Sequence, residues 1–180
     1  MKKRITKVTT KTGDDGSTGM ADGTRLKKSD PIIHCIGEID ELNSLIGCLA
    51  SANDLKRHKE SLIRIQNCLF NIGGSLSLGS DDSITEQEIS FVEEEINLLN
   101  ADLSSLENFI LPGGHPTSAL AQLVRSVCRR CERSLVSLDE KQSIEDRKII
   151  YINRLSDLFF VMARSINKEK NCQEVFWQQT

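Results

Sequence analysis

The chain has 180 residues, a formal net charge of −3, 38% hydrophobic residues and only 4% aromatic residues. This length fits one domain, since domains commonly run to roughly 100–200 residues. The slight negative charge excludes nucleic-acid binding through overall electrostatics. No apolar run is long enough to span a bilayer, and no signal-peptide core follows the basic N-terminus. We therefore expect a cytoplasmic protein with no membrane partner.

The six cysteines mostly lie within helical patterns, which favours small buried apolar residues in a reducing compartment. Cys128 and Cys131 have C-x-x-C spacing, but they lie in the middle of a predicted helix. A redox pair would begin a helix after a strand, and a structural zinc site would need a second ligand pair. We expect no metal bound by protein cysteines or histidines.

Residues 1–30 show no convincing helix, although Ile5 to Thr10 has the pattern of a short extended segment. From Thr10 to Lys28 the chain combines glycines, hydroxyl side chains and lysines. Such a segment can surround a phosphate with backbone N–H groups. It is not a Walker motif, because the glycine spacing differs. The alternative interpretation is a polar arm without fixed structure.

Apolar residues at three- and four-residue spacing predict five amphipathic helices. Asp30 and Pro31 suit the start of the first helix, and Thr85 to Glu88 resembles a capping box. Short connections favour an antiparallel bundle over residues 31–170 in a single domain, 1–180, with an apolar tail over 171–180 that packs down. The predicted helices cover about 30–52, 54–78, 85–99, 116–138 and 147–169.

The fourth helix carries four arginines within the nine residues from Arg125 to Arg133, and its apolar residues recur on a different face. The planar guanidinium group suits phosphate oxygens. The alternative is a surface helix whose arginines pair with acids of a neighbouring helix. His115, just before this helix, is predicted to have a capping or loop role.

Five segments together resemble the PduO-type ATP:cob(I)alamin adenosyltransferases in order and spacing, over nearly the whole chain. They are Thr10 to Thr18, Glu38 to Asn43, Phe109 to Gly114, Val127 to Arg133 and Tyr151 to Asp157. The resemblance implies an all-α, five-helix bundle with an N-terminal nucleotide-binding loop, residues 1–30. It also implies a homotrimer with active sites between subunits. The implied reaction transfers the 5′-deoxyadenosyl group of ATP to cob(I)alamin, giving adenosylcobalamin and triphosphate.

The resemblance also implies roles for individual residues. Phe109 would block the lower axial position of cobalt, Arg125 would pair with Asp40 across the interface, and Arg129 would act on the phosphates. Mg²⁺ would be bound mainly through ATP, and a reductase or a cobalamin-dependent acceptor enzyme is a further candidate partner. The resemblance implies that two subunits share each ATP site. One subunit would contribute Thr10, Lys11, Thr12, Gly13, Thr18, Gly19 and Lys28. Its neighbour would contribute Arg129, Arg130, Glu132, Arg133 and Asn153.

Cobalt(I) would itself be the nucleophile, which agrees with the lack of a Ser, Cys or His nucleophile pattern in the sequence. The protein would orient C5′ and stabilise the departing triphosphate. Two residues depart from the family pattern: Cys131 stands where alanine is common, and Asp15 stands where the loop often carries lysine. Asp15 removes a positive charge near the phosphates. The alternative functions are a non-catalytic ATP-binding sensor and a structural helical protein.

Overall fold

The computed structural model describes residues 9–81 and 83–179, so the predicted extended segment from Ile5 to Thr10 lies mostly outside the described residues. Helices dominate the described chain, which confirms the predicted helical class. The α-helices are α1 Pro31–Ala50, α2 Lys59–Leu78, α3 Glu86–Asn100, α4 Pro116–Asp139 and α5 Asp146–Glu169.

Two of the predicted helix starts follow their sequence signals. The Asp30 carboxylate accepts a hydrogen bond from the Ile32 N–H at 3.1 Å, and Pro31 occupies the first turn of α1. At the start of α4, His115 Nδ1 accepts from the Thr117 N–H at 3.3 Å. The capping interpretation of His115 is thus confirmed. These caps satisfy N–H groups that no helical carbonyl can reach.

The capping box predicted at the start of α3 is wrong. Thr85 occupies the cap position without a side-chain hydrogen bond to the helix. Glu88 accepts instead from Arg64 Nε on α2, at 2.9 Å. The carboxylate that would have bonded to the Thr85 N–H is thus engaged by a charged donor of the neighbouring helix.

The second helix begins later than its periodicity predicts. Residues Asn53–His58 form a 3-10 helix with a non-helical backbone at Leu55 (φ −107°, ψ 22°), and α2 starts at Lys59. Leu55 is almost fully buried. The irregular turn thus brings an apolar side chain into the core before the regular helix starts.

Consecutive helices run in opposite directions. Asn43 of α1 and Gln66 of α2 each donate a side-chain N–H to the other's backbone carbonyl, at 3.2 and 3.1 Å. In contrast, α3 and α5 are parallel neighbours: Glu93 pairs with Arg154, while Asp102, just past the end of α3, contacts Lys168 near the end of α5. The alternating directions are those of the predicted antiparallel bundle, in which α3 and α5, two helices apart in the sequence, necessarily run the same way.

The core lies around α5, which packs against both α3 and α4, while α1 packs against α2 and α4. The apolar stripe predicted for α5 is fully buried, and it comprises Ile152, Leu155, Phe159, Met162 and Ile166. None of the helices in the described ranges is long and apolar enough to cross a membrane.

The N-terminal segment forms a β-hairpin that the sequence analysis did not predict. Strand β1, Ser17–Gly19, pairs antiparallel with β2, Arg25–Lys27. The Ala21 N–H donates to the backbone carbonyl and the hydroxyl of Ser77 at 3.2 and 2.9 Å, which attaches the hairpin to the end of α2. The alternative of a structureless polar arm is therefore wrong for this part of the chain.

Candidate functional site

The arginine-bearing face of α4, which the sequence analysis predicts to bind phosphate, is directed outward. Arg129 and Arg133 are exposed, and within residues 9–81 and 83–179 neither makes a hydrogen bond or ion pair. Between them on the helix, Glu132 accepts a 2.8 Å hydrogen bond from Asn153 Nδ2 on α5. We call Arg129, Glu132, Arg133 and Asn153 the arginine cluster. It places two available guanidinium groups beside a fixed carboxylate–amide pair.

Arg130 differs from its neighbours, because acids of α1 already engage it. Its guanidinium bonds to Glu41, and its Nε lies 3.8 Å from a carboxylate oxygen of Glu38. The hydrogen bond from Arg130 to Glu41 raises the pKa of the guanidinium further. The alternative interpretation of the arginines as partners of a neighbouring helix therefore holds for Arg130.

The N-terminal loop is folded onto its own hairpin by backbone carbonyl contacts. Lys28 Nζ donates to the Gly13 carbonyl at 2.9 Å, and Arg25 donates to the Thr12 carbonyl at 2.6 Å and to the Ser17 hydroxyl. A Cβ at Gly13 would lie 3.0 Å from the Ser17 carbonyl oxygen, so the turn favours glycine there.

The other predicted ATP-binding residues of this segment are nearby. Lys11 is exposed and has a left-handed backbone, with φ of +58°, which is uncommon for a residue with a side chain. The hydroxyls of Thr10 and Thr12 lie 3.0 Å apart, while Thr18 and Gly19 lie on β1. The loop thus holds several backbone and hydroxyl groups close together at the bundle surface.

Asp15, the first departure from the family pattern, stabilises a local turn. Its carboxylate accepts from the Ser17 N–H at 2.9 Å and from the Ser17 hydroxyl at 2.7 Å, and Arg25 lies 3.8 Å away. The hydrogen bonds from Ser17 lower the pKa of Asp15. Arg25 thus lies close enough to offset part of the negative charge that Asp15 brings to this loop.

Cys131, the second departure, is buried and donates its thiol hydrogen to the Glu38 carbonyl at 3.1 Å. Burial raises the pKa of this thiol to about 12, and it raises that of Cys128 as well. Both thiols are therefore protonated and unreactive near neutral pH. Cys48 is exposed and Cys172 half-buried, which corrects the expectation of general burial. Across the described ranges, no three His, Cys, Asp or Glu side chains are grouped to hold a metal ion.

One chain does not join the two predicted halves of the ATP site. Across the described parts of the chain, no hydrogen bond or ion pair links residues 10–28 to the arginine cluster. The only hydrogen bonds that the described hairpin segment makes to the helices go to Ser77 at the end of α2.

An open cleft of roughly 520 Å³ lies near the start of α4, beside Phe109, Gln122, Arg125 and Phe160. Phe109 is 78% exposed, so it is not part of the core of the single chain. Arg125 Nε donates to Gln122 Oε1 at 2.7 Å, and its guanidinium lies 6.0 Å from the centre of the Phe160 ring. Burial, followed by the nearby charge of Arg129, lowers the pKa of Arg125.

The predicted partner of Arg125 is not in contact with it within one chain. Asp40 is exposed on α1, and it forms no hydrogen bond or ion pair with any of the described residues. The predicted pairing across an interface is thus left open by the geometry of a single subunit.

The loop after Phe109 is fixed by Asn167 of α5, a residue that sequence reasoning missed. The Asn167 amide donates to the Gly113 carbonyl at 3.1 Å and accepts from the His115 N–H at 2.9 Å. Gly114 has φ of +91°, and a Cβ there would lie 2.3 Å from the Asn167 amide oxygen. In the sequence, the glycine pair Gly113 and Gly114 was the one sign of a constrained loop, and it did not identify Asn167 as the partner of that loop.

The C-terminal tail pairs with the Phe109 segment. Trp177 N–H donates to the Phe109 carbonyl at 2.7 Å, Leu111 N–H donates to the Val175 carbonyl at 2.8 Å, and the Phe109 and Trp177 rings meet edge to face at 6.5 Å. The prediction that the tail packs down is correct for the backbone. Its apolar side chains nevertheless remain 43–60% exposed from Val175 to Trp177. With Phe109 they form an apolar surface beside the cleft.

Fold and site together define a helical-bundle protein with an outward-facing arginine cluster on α4 and an open cleft beside Phe109. The family model for cobalamin adenosyltransferase matches residues 8–166, and the chain belongs to that family. A cobalamin adenosyltransferase from Cupriavidus metallidurans is 41% identical, with 99% of this chain and 98% of that protein covered. A corrinoid adenosyltransferase from Bacillus subtilis is 36% identical over 97% of this chain and 93% of its own length.

A solved structure from Lactobacillus reuteri has the same fold. It is a variant PduO-type ATP:corrinoid adenosyltransferase complexed with cobalamin and ATP, with a TM-score of 0.90 and 32% sequence identity, and it covers 96% of this chain and 100% of that chain. A second variant of that enzyme, complexed with ATP, has a TM-score of 0.87 at 32% identity and covers 95% of this chain and 100% of that chain. The resemblance of the five sequence segments is thereby confirmed.

Proposed function

We propose that the protein transfers the 5′-deoxyadenosyl group of ATP to cob(I)alamin, giving adenosylcobalamin and triphosphate. The observation that carries this proposal is the layout of α4. Arg125 lines the cleft beside Phe109, and Arg133 lies eight residues further along, about 12 Å at 1.5 Å per residue. Along one helix, therefore, a residue that lines the cleft for a corrinoid is followed within about 12 Å by unpaired guanidinium groups for phosphates.

The reaction needs positioning and charge stabilisation rather than a protein nucleophile. Cobalt(I) donates its electron pair to C5′, the cobalt–carbon bond forms, and the bond from C5′ to the triphosphate oxygen breaks. The negative charge then developing on the leaving oxygen is stabilised by Arg129 and Arg133. The contact between Glu132 and Asn153 fixes the helix faces around them.

Phe109 has a separate role in this proposal, because cobalt(II) must be reduced before it reacts. A large exposed ring beneath the corrin excludes water and the lower base from the axial position. Without an axial donor, the cobalt(II) orbital that accepts the next electron falls in energy, and a biological donor can reduce the metal.

The ATP site is proposed to lie between subunits of a homotrimer. Support comes from the missing contact, within one described chain, between the N-terminal loop and the arginine cluster. Leu123 and Val136 of α4 also remain 49% and 43% exposed, so an apolar part of this helix is uncovered in the single chain. In the trimer, residues 10–28 of one subunit would meet the arginine cluster of the next.

Mg²⁺ is proposed to arrive with the phosphates of ATP. The described residues offer no group of three ligands for it, and Mg²⁺ commonly binds through substrate phosphates and water. A reductase is a proposed partner, because cobalt(I) has to be generated, and an acceptor enzyme is another, because the product is a coenzyme. A reducing, cytoplasmic setting is supported by the six free cysteines.

The decisive experiment is a spectrophotometric assay with chemically reduced cobalamin and MgATP. We expect cob(I)alamin to be converted to adenosylcobalamin with stoichiometric release of triphosphate. Thermal stabilisation by MgATP without turnover would instead identify the non-catalytic sensor, and no response to MgATP would identify a structural bundle.

The axial role of Phe109 has its own test, the Phe109→Ala variant. We expect activity to fall most when the assay starts from cobalt(II) with a mild reductant, and less when it starts from chemically prepared cobalt(I). Spectra with cobalt(II) and MgATP should show more five-coordinate cobalt than the parent protein. Equal losses in both assays with unchanged spectra would mean that Phe109 acts through packing alone.

A further inference from the structure

Arg164 is a buried arginine of α5 that the proposed reaction does not use. It is 5% exposed, and its Nε and terminal nitrogen donate to the two carboxylate oxygens of Glu174 at 2.8 and 3.3 Å. The same terminal nitrogen also donates to the Ser104 carbonyl at 2.9 Å. A buried guanidinium requires such partners, and a two-pronged bond to a carboxylate fixes both position and direction.

Glu174 lies at the start of the tail strand that pairs with the Phe109 segment. The tail leaves α5 through Asn171, whose left-handed backbone has φ of +53°, and the Cys172 N–H then donates to the Asn167 carbonyl at 2.8 Å. Beyond Glu174, the hydrogen bonds of the described tail go to residues 108–111. Those bonds join the tail to the segment that carries Phe109.

The tail and the Phe109 segment together form a strand pair, and this pair does not rest on a close-packed core. A cavity of roughly 230 Å³ lies between it and α5, lined by Gly113, Gln122, Arg164, Glu174 and Val175 among others. Close packing would otherwise hold a strand in place to within a fraction of an ångström. Here the position of the strand pair depends on its attached ends, of which one is the bond between Arg164 and Glu174 and the other is the Asn167 clamp on the glycine loop.

We infer that Arg164 is a positioning residue for the corrinoid cleft: through Glu174 and the tail strand, Arg164 holds Phe109 in place. This inference rests on the proposed function of Phe109. Arg164 and Asn167 lie three residues apart on α5, so they project from neighbouring positions on one side of the helix. One helix therefore holds both the tail, which pairs with the Phe109 segment, and the glycine loop, which follows that segment.

The test removes the carboxylate rather than the buried arginine, with a Glu174→Ala variant. We expect the KM for cobalamin to rise about tenfold, equivalent to about 1.4 kcal/mol, while the KM for ATP stays within about twofold. With cobalt(II) and MgATP, the spectra should show a larger five-coordinate fraction. Glu174→Gln keeps one acceptor for Arg164, so its KM for cobalamin and its spectra should lie between those of the parent protein and those of Glu174→Ala. Unchanged spectra and an unchanged KM for cobalamin would overturn the inference.

Loss of positioning must be separated from the penalty of an unpaired buried charge. In the double variant Arg164→Met, Glu174→Ala, both charges are gone and methionine keeps most of the volume of the buried arginine, so stability should recover. The spectroscopic defect should persist, because the tail is still detached. Recovery of the spectra together with stability would mean that the ion pair acts on folding alone.

A control on the same helix is Glu169→Ala, which removes the ion pair with Arg57 of the 3-10 helix before α2. It should leave the cobalt spectra unchanged, and an equal shift in this control would overturn the inference. Phe109→Ala distinguishes the two proposals. If it leaves the spectra unchanged, the axial role fails whatever Glu174 does. If Phe109→Ala changes the spectra and Glu174→Ala does not, the positioning role alone fails.

Discussion

Arg129 and Arg130 are adjacent in sequence, but the bundle gives them different environments. Arg129 is exposed and makes no hydrogen bond or ion pair with the described residues, whereas Arg130 is paired with Glu41 and Glu38 of α1. An unpaired guanidinium can meet phosphate oxygens without first breaking an ion pair. We therefore expect the two arginines to contribute differently to turnover.

Arg129→Ala should lower kcat by about 100-fold or more, the magnitude found when one preorganised donor to developing charge is removed. Arg129→Lys should recover part of the loss, because it keeps the charge but not the planar fork. Steady-state assays with prepared cobalt(I) measure both, and gel filtration checks that assembly is intact.

The matched control is Arg130→Ala. The guanidinium of Arg130 is already engaged by Glu41 and Glu38, so we expect a much smaller loss of turnover than in Arg129→Ala. Because this ion pair is exposed, stability should change by only about 0–1 kcal/mol. Near-normal activity of purified Arg129→Ala, or equal losses in the two variants, would contradict the distinction.

Residue type predicted the chemistry of this face but not the partner of each residue. Arg130 differs from Arg129 because of Glu41, which is 89 positions away in the sequence. Asn167 reaches His115 from 52 positions away, and no local pattern indicates that contact. Residue-level roles therefore came from resemblance and composition, whereas the pairings required the fold.

The N-terminal loop and hairpin form an element with few apolar contacts. Most side chains from Thr10 to Lys28 are exposed, although Met20 and Leu26 pack against the core. Ordering such a segment costs conformational entropy that ligand contacts must offset. We expect amide hydrogen exchange over residues 10–28 to slow when MgATP is added, as measured by mass spectrometry.

Amides in the buried middle of α5 provide the internal control for that experiment, because their exchange should be slow with or without nucleotide. Protection confined to α5, or unchanged exchange over residues 10–28, would mean that the loop is not the ATP site.

His58, in the 3-10 helix before α2, gives a pH-dependent prediction. Burial, followed by the adjacent Arg57 charge, lowers its pKa below 6.5, although Glu95 and Glu169 oppose the shift. Its Nε2 also accepts a 2.8 Å hydrogen bond from Arg57. The unfolded chain therefore binds the proton first as pH falls, so this contribution to stability is present above pH 6.5 and is lost as pH falls through the folded pKa.

We expect the free energy of unfolding to fall between about pH 7 and pH 5, and we expect His58→Gln to show a shallower fall. Urea denaturation at several pH values measures the free energy of unfolding of both proteins. His34→Gln, at an exposed position of α1, is the control. The same slope in His58→Gln and in the parent protein would rule out this source.

At the scale of elements, long amphipathic segments were predictable and short ones were not. The apolar period of α5 extends over many turns, and its predicted stripe is buried. The hairpin strands have three residues each, too few to show an alternating pattern, and they depend on turns such as the one where Asp22 accepts from Thr24. The 3-10 turn at Leu55 likewise follows from burial of one side chain rather than from propensity.

At the scale of the whole molecule, the proposed functional unit contains more than one chain. Arg125 lines the Phe109 cleft with a half-buried guanidinium, and its hydrogen bond to the neutral Gln122 leaves its charge without a counterion among the described residues. Asp40 has the complementary charge and is exposed on α1. A neighbouring subunit that brought Asp40 to Arg125 would satisfy both groups.

Arg125→Ala tests this arrangement, because it would leave Asp40 unpaired at the interface. Removing one member of a buried pair costs about 3–5 kcal/mol, so the trimer should dissociate at higher protein concentration and activity should fall. Light scattering after gel filtration measures the mass, and the adenosylation assay measures activity. In a double-mutant cycle with Asp40→Ala, the two losses should not add, because each variant removes the same contact.

Glu41→Ala is the matched control: its carboxylate bonds to Arg130 within the chain, so assembly should persist. An Arg125→Ala trimer with parental stability and activity would mean that Arg125 and Asp40 do not meet, and a monomeric parent protein with full activity would remove the intersubunit site altogether.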